Sequence, residues 1–390
     1  MLHIHGQPKR YDALIVGARP AGAATAMLLA RAGLRVLMID KAEAGTDTLS
    51  THALMRAGVT LLDRFGVLED IIRAGTPAVR QASFSYDGER TTVDIKPKGH
   101  AEGLYAPRRT VLDKVLAEAA SAAGVEISYR TALEELRTDD NGRVKGAILR
   151  GPDGDRFPVD ADIVIGADGR NSAVARVVGA KCYALSKHRT SVVYGYFDGI
   201  EDQGYQWFYS PGCSLGMIPT NDGLHCVFAA VPPADFKATF GGDPLAGLKR
   251  IAARCHAALD GSHRYVEAEG RLRPFIGAPG HMRQSFGPGW ALVGDAGYFK
   301  DPITAHGITD ALRDASMLSD AITAGGMASL AAYQMKRDRL SWPLFKTTDA
   351  IAALDWSMDG LKAEHAKLHE AMRHEMAEID ALPSDQRVAA

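Results

Sequence analysis

Cysteine is scarce in this chain. There are four in 390 residues, Cys182, Cys213, Cys226 and Cys255, with no C-x-x-C pair and no tight His/Cys cluster. That excludes a dithiol redox motif and a zinc site of regular spacing, and leaves the thiols as small buried or half-buried side chains. Net charge is scarce too, at −2. A nucleic-acid binder needs a basic face, so that class is set aside. No apolar run approaches the roughly 20 residues that span a bilayer. The N-terminal MLHIHGQPKR has no signal-peptide core, so a cytosolic protein without an integral membrane segment is expected. His3 and His5 in that tail are expected to bind metal only adventitiously. Internal repeats, low-complexity segments and an obvious nucleophile or metal triad are absent as well. What remains is an ordinary globular composition, 46% hydrophobic and 24% charged. The length allows two or three structural units with their own cores.

The most informative stretch is 11–41, YDALIVGARPAGAATAMLLARAGLRVLMIDK. An apolar run meets a glycine turn at Gly17, a helical pattern follows, and a second apolar run ends on Asp40. Strand, phosphate-binding turn, helix and strand in that order form the entry unit of a dinucleotide fold. Gly17 permits a tight turn, and Gly22 lets the helix pack close to the sheet. The helix start offers free N–H groups and a positive dipole end to a pyrophosphate. Asp40 is suited to accept hydrogen bonds from ribose hydroxyls, with Lys41 beside it, and disfavours a 2′-phosphate. The loop Gly17-Ala18-Arg19-Pro20-Ala21-Gly22 carries Arg19 where the fingerprint has its middle glycine. Either the backbone tolerates an outward side chain there, or Arg19 itself neutralises phosphate.

Further along, 50–74 has helical spacing with glycine breaks, and 81–95 alternates around an Asp87-Gly88 hairpin turn. A helix is expected over 110–123, then a meander over 125–165. Short β-rich runs fill 189–230, 244–259 reads as a helix, and a helical region runs from about 303 to the C-terminus. Breaks are expected in it near Gly325-Gly326 and Trp342-Pro343. The pattern implies an α/β fold, with a discontinuous Rossmann-like nucleotide domain of about 1–81, 101–182 and 274–330. An antiparallel β-sheet substrate domain of about 82–100 and 183–273 is inserted in it, and C-terminal helices follow over 331–390. Apolar residues at helical spacing there, such as Ile351, Leu354 and Leu361, pack on the body or form a dimer face. Packing is the simpler expectation, and the protein is read as a monomer or homodimer.

Three more motifs sit at element ends: Arg109-Thr110-Val111-Leu112-Asp113 at a helix start, Gly166-Ala167-Asp168-Gly169 after a strand, and Gly294-Asp295-Ala296 after another. Singly each reads as a cap or a turn. In this order, after the N-terminal fingerprint, they resemble the FAD-dependent monooxygenase superfamily over about 11–345. That superfamily contains the para-hydroxybenzoate hydroxylase-like enzymes, with relatives among geranylgeranyl reductases and flavin halogenases. The resemblance implies FAD as cofactor. Gly17, Gly22 and Asp40 would hold its ADP half, and Arg109 its pyrophosphate or ribityl side. Asp168 would contact FAD, and Asp295, after Gly294, the ribityl hydroxyls. Pro302 would open a helix whose N–H groups, near Gly307 and Ile308, face the flavin edge and stabilise the reduced ring. Many members have glycine where this chain has Ala305.

For the chemistry, the resemblance implies an NAD(P)H- and O₂-dependent hydroxylase first, acting on a small aromatic or other electron-rich molecule. Arg313-Asp314-Ala315 resembles the hydroxylases, whereas Asp301-Pro302 resembles the reductases and halogenases. Reduction of an isoprenoid-type double bond is the alternative. Halogenation ranks lower, because a W-x-W-x-I-P motif is missing; the comparable stretch reads Tyr205-Gln206-Trp207-Phe208-Tyr209. A non-catalytic FAD-binding protein also stays open. His52 and His306 are the candidate acid–base residues, although a cap or pocket-shaping role is open for both. Tyr194, Tyr196, Trp207, Tyr209 and Met217 either line a pocket or form core, and His225 is expected to be structural.

Overall fold

The computed structural model describes residues 9–48, 50–259, 263–266 and 271–381. His3 and His5 lie outside them. Two large sheets organise the chain. The first is built on parallel strands, because the second half of Lys9–Val16, residues 13–16, is apolar on both faces and must be covered on both. It pairs with Val36–Asp40 on one side and with Arg156–Gly166 on the other. Glu126–Tyr129 extends one edge, and Trp290–Leu292 extends the other. The hairpin Ala132–Thr138 and Val144–Arg150 attaches antiparallel to Arg156–Gly166. Helices Pro20–Arg31, Arg109–Ala122 and Gly307–Ala324 pack together over this sheet.

The second sheet runs Arg264–Tyr265, Ser191–Asp198, His225–Val231, Cys213–Pro219, Tyr205–Ser210, Gln81–Tyr86, Glu89–Asp94. The expected hairpin at Asp87-Gly88 is present. One pair departs from the antiparallel expectation: Tyr205–Ser210 runs parallel to Gln81–Tyr86. The chain between them passes through the first sheet, so it is free to return in the same direction. A small third sheet pairs Cys182–Leu185 with His281–Arg283 and that with Tyr298–Phe299. Residues 183–185 therefore sit with the segment after 274 rather than with the second sheet.

The C-terminal region is three helices, Gly307–Ala324, Gly326–Ile351 and Met358–Asp380. The break at Gly325-Gly326 is observed. The one expected at Pro343 is not, since the helix runs through it. Trp342 and Pro343 lie on its exposed side, where solvent serves the carbonyl that a proline leaves unpaired. Ile351, Leu354 and Leu361 are buried against the body. No helix among the described residues is long and apolar enough to cross a membrane.

Pro343→Ala restores the missing helical hydrogen bond without emptying any core space. It is expected to raise the melting temperature, by up to about 3 kcal/mol of stability on the helix-interior scale. Thermal unfolding of the two forms checks this; a fall would show that the proline bend is needed for packing.

Candidate functional site

The chain leaves its first strand at Gly17 with φ +113°, a conformation L side chains rarely adopt. A Cβ at Gly17 would stand 2.4 Å from the Ala167 carbonyl oxygen, and one at Gly22 would stand 1.8 Å from the Gly17 oxygen. The turn, the helix and the end of Arg156–Gly166 thus touch backbone to backbone. The turn after the neighbouring strand meets the same place, since a Cβ on Gly294 would lie 2.8 Å from the Ala21 Cβ. Three strand ends and one helix start, Pro20–Arg31, enclose one space.

A cleft of about 250 Å³ opens there, and a hollow of about 470 Å³ lies beside it. Arg19 lines both. Its side chain does not turn away to solvent; Nη1 donates to Asp113 Oδ2 at 2.7 Å. Arg109 holds the same carboxylate through Nε at 2.8 Å and Nη2 at 3.1 Å. Two guanidinium groups share one carboxylate, so the junction of cleft and hollow keeps a net positive charge. Asp40 lines the hollow, where Oδ2 accepts from the Ala18 N–H and Oδ1 from the Ala42 N–H. It braces the turn as well as facing the hollow. Lys41 is exposed and lines neither cavity.

On the cleft floor, Asp295 projects from the Gly294–Ala296 turn. Burial pushes its carboxyl up to about 6, against the opposing pull of Lys300, Arg109 and Arg170. Lys300 also lines the cleft and is ion-paired with buried Asp310. Burial first, then Arg313, lowers its ammonium to about 7. Asp301 is held by Thr190 through its N–H at 2.7 Å and Oγ1 at 2.8 Å, and burial raises it to about 6.

The stretch after Asp301 differs from the expectation. Pro302 opens a single 3₁₀ turn, Pro302–Thr304, and the long helix starts only at Gly307. Ala305 between them has φ +48°. That left-handed angle is why glycine suits this position and costs an alanine about 1 kcal/mol. Pro302, Gly307 and Ile308 nonetheless line the cleft.

Neither candidate histidine does. His52 is fully buried with φ +64°, and its Nε2 lies 2.7 Å from the Tyr196 hydroxyl. Burial, then the charges of Arg109 and Arg108, lower it to about 3, so it is neutral near pH 7. His306 is buried with Nε2 2.7 Å from Glu375 Oε2, and burial lowers it as well. Asp168 spends its carboxylate on Ser172 Oγ and on the N–H groups of Ala173 and Val174, at the start of the short Ala173–Val177 helix. Its neighbours Ala167, Gly169 and Arg170 line the cleft instead. Of the aromatic candidates, Tyr194 lines the cleft, while Tyr196, Trp207 and Tyr209 are core with Met217. His225 is buried in the second sheet.

Behind the cleft lies a charge network. Arg313 donates to Asp310 at 2.9 Å, to Asp314 at 2.8 Å and to Glu375 at 2.5 Å. His306, Asp310 and Glu375 place one ligand atom each within 4.8 Å of one another. Arg313 and Lys300 already occupy these carboxylates, so an added metal cation would meet like charge. Lys300, Arg170 and Glu375 carried no assigned role in the sequence. Lys300 and Arg170 stand next to motifs, whereas Glu375 arrives from a helix 62 residues beyond Arg313.

A family model described as FAD binding domain matches residues 10–348. The chain belongs to this FAD-binding family. It is 28% identical over 344 residues to a digeranylgeranylglycerophospholipid reductase of Methanothrix thermoacetophila, covering 84% of this chain and 83% of that one. It is 27% identical over 338 residues to a menaquinone reductase of Mycolicibacterium smegmatis, covering 82% and 78%. The fold is similar to that of aklavinone-11 hydroxylase in a ternary complex with FAD and aklavinone, with a TM-score of 0.74, 22% identity, and 92% and 71% coverage. The protein is therefore a FAD-dependent oxidoreductase. The observed residues fit FAD: a side-chain-free cradle at Gly17 and Gly22, a cationic junction at Arg19 and Arg109, and a cleft-facing carboxylate on Asp295.

Two outcomes follow for these residues. Asp295→Ala is expected to lower FAD occupancy, read from flavin absorbance per polypeptide, with the melting profile of the FAD-free form unchanged. Unchanged occupancy would remove Asp295 from the cofactor contacts. His52 binds its proton more weakly when folded than when unfolded. Its contribution is therefore complete above about pH 6.5 and is lost as pH falls toward 3. His52→Gln should flatten that acid limb in melting temperature against pH; an unaltered limb would contradict a neutral buried His52.

Proposed function

We propose that the protein is a FAD-dependent reductase of a carbon–carbon double bond in an apolar, isoprenoid-type substrate. The observation that carries this reading is the two-sided cleft. One side is polar, with Arg109, Asp295 and Lys300; the other is apolar, with Val192, Tyr194 and Phe275 from the second sheet. An apolar wall binds by contact area and suits a hydrocarbon chain. The two relatives described above, each aligned over about four-fifths of the chain, carry reductase names, and that of Methanothrix thermoacetophila names a digeranylgeranyl lipid.

Bound FAD would supply the electron pair as hydride, with NAD(P)H as the expected source. The chain's own residues do the rest. The free N–H groups at the start of Pro20–Arg31, with Arg19 and Arg109, would hold the pyrophosphate. Asp40, lining the hollow, would hold the adenosine, and Asp295, lining the cleft, would accept from the ribityl hydroxyls. The N-terminus of Gly307–Ala324, at Gly307 and Ile308 on the cleft wall, would turn its dipole toward the flavin edge. Protons come from groups that exchange near neutrality, namely Lys300 at about 7 and Asp301 at about 6. No histidine is required for this.

A second reading, insertion of an oxygen atom from O₂ into an electron-rich substrate, is favoured by the hydroxylase-like Arg313-Asp314-Ala315. The two separate in one experiment. The FAD-loaded protein is given NADPH, or dithionite as a direct reductant, and a digeranylgeranyl glycerophospholipid without O₂. Reduction predicts a product that gains two hydrogens per double bond. No anaerobic product, together with a product carrying oxygen from labelled O₂ in air, would overturn the first reading in favour of the second.

A further inference from the structure

Two of the four thiols meet. Cys213 begins the strand Cys213–Pro219, and Cys255 is the C-cap of the helix Pro244–Arg254. They are 42 residues apart in sequence, both have zero exposure, and their sulfurs are 3.6 Å apart. Cys226 is also buried and Cys182 is exposed, and neither lies beside another cysteine.

The ordinary reading of buried thiols is that of small, inert apolar side chains. Here the two segments that carry them are also tied together just before each cysteine. Arg254 donates through Nη2 to the Pro211 carbonyl, and Ser210 Oγ donates to the Arg254 carbonyl at 3.1 Å. Gly212 N–H donates to the Leu354 carbonyl at 2.9 Å. The fold has already brought the sulfurs together. A bond of about 2.05 Å needs the gap between the sulfurs to close by roughly 1.6 Å.

We propose that Cys213 and Cys255 form an oxidative modification site, a buried dithiol that closes to a disulfide under hydrogen peroxide. The Cys213 thiolate attacks one peroxide oxygen; the O–O bond breaks, hydroxide leaves, and Cys213 becomes a sulfenic acid. The Cys255 sulfur then attacks the Cys213 sulfur. The S–O bond breaks, and the oxygen leaves as water with the Cys255 proton. Overall, two thiols lose two electrons and two protons to peroxide, which becomes two waters. The order follows from the hydrogen bond between them. Either sulfur can donate across the 3.6 Å contact, and sharing one proton draws the Cys213 thiol below its usual range, while the same contact and burial raise Cys255. Entry is through the turn above the pair, where Pro211 is exposed and Gly212 half-buried; a local opening there admits a molecule as small as peroxide. The cross-link would pin the Pro244–Arg254 helix to the second sheet, so it stabilises the fold. This site is independent of the reaction assigned to the cleft.

The test uses the full-length, FAD-loaded protein with graded hydrogen peroxide. Remaining thiols are alkylated under denaturing, non-reducing conditions, and peptides are mapped by mass spectrometry. The expected result is a linked pair of peptides containing Cys213 and Cys255, lighter by two hydrogens, reversed by dithiothreitol and accompanied by a higher melting temperature. Cys226 should stay alkylatable. Cys255→Ser should leave Cys213 as a sulfenic acid that dimedone labels. If that variant does not fold, the wild-type map decides alone. Cys213 and Cys255 both remaining alkylatable, at peroxide levels that fully oxidise exposed Cys182, would overturn the proposal.

Discussion

The site depends first on contact between backbones. Gly17 and Gly22 bring the first turn, the first helix and the Ala167 carbonyl closer than any side chain allows, and Gly294 brings a third strand end against Ala21. Because these pieces touch, residues far apart in sequence face one space. Arg19 and Arg109 stand at its junction, with Asp295 and Lys300 on its floor. Widening any one contact would separate the charges that give the cleft its chemistry.

Those charges are arranged in two layers. In front, Asp113 holds Arg19 and Arg109 in fixed positions and leaves a cationic joint between cleft and hollow. Behind, Lys300, Asp310, Arg313, Glu375 and His306 form a buried chain of pairs reaching the C-terminal helix. Such pairs are weak evidence of stability, since burying charge costs about as much as pairing returns, yet removing one member strands the rest at a cost of about 3–5 kcal/mol. Their effect here is positional. They fix the start of Gly307–Ala324 at the cleft.

The parts legible in the sequence were those set by local backbone rules. The 11–41 unit, the Asp87-Gly88 hairpin and the helices near 109 and 244 follow from glycine positions and periodicity. The α/β fold and the FAD-binding family were legible in four short motifs taken together. What was not legible came from tertiary contact. The parallel pairing of Tyr205–Ser210 with Gln81–Tyr86 depends on where the chain goes between them. Pro343 continues a helix because its side of the helix is exposed. His52 and His306 carry the residue type for proton transfer, but burial beside Tyr196 and Glu375 takes them off the cleft surface. Glu375 had no motif around it at all.

The most direct measurement is a crystal structure with FAD bound. The pyrophosphate is expected at the junction between Arg19 and Arg109, adenosine in the hollow beside Asp40, and the ribityl chain against Asp295. Pyrophosphate density away from that junction, with the Arg19–Asp113 pair broken and Arg19 turned to solvent, would contradict this placement.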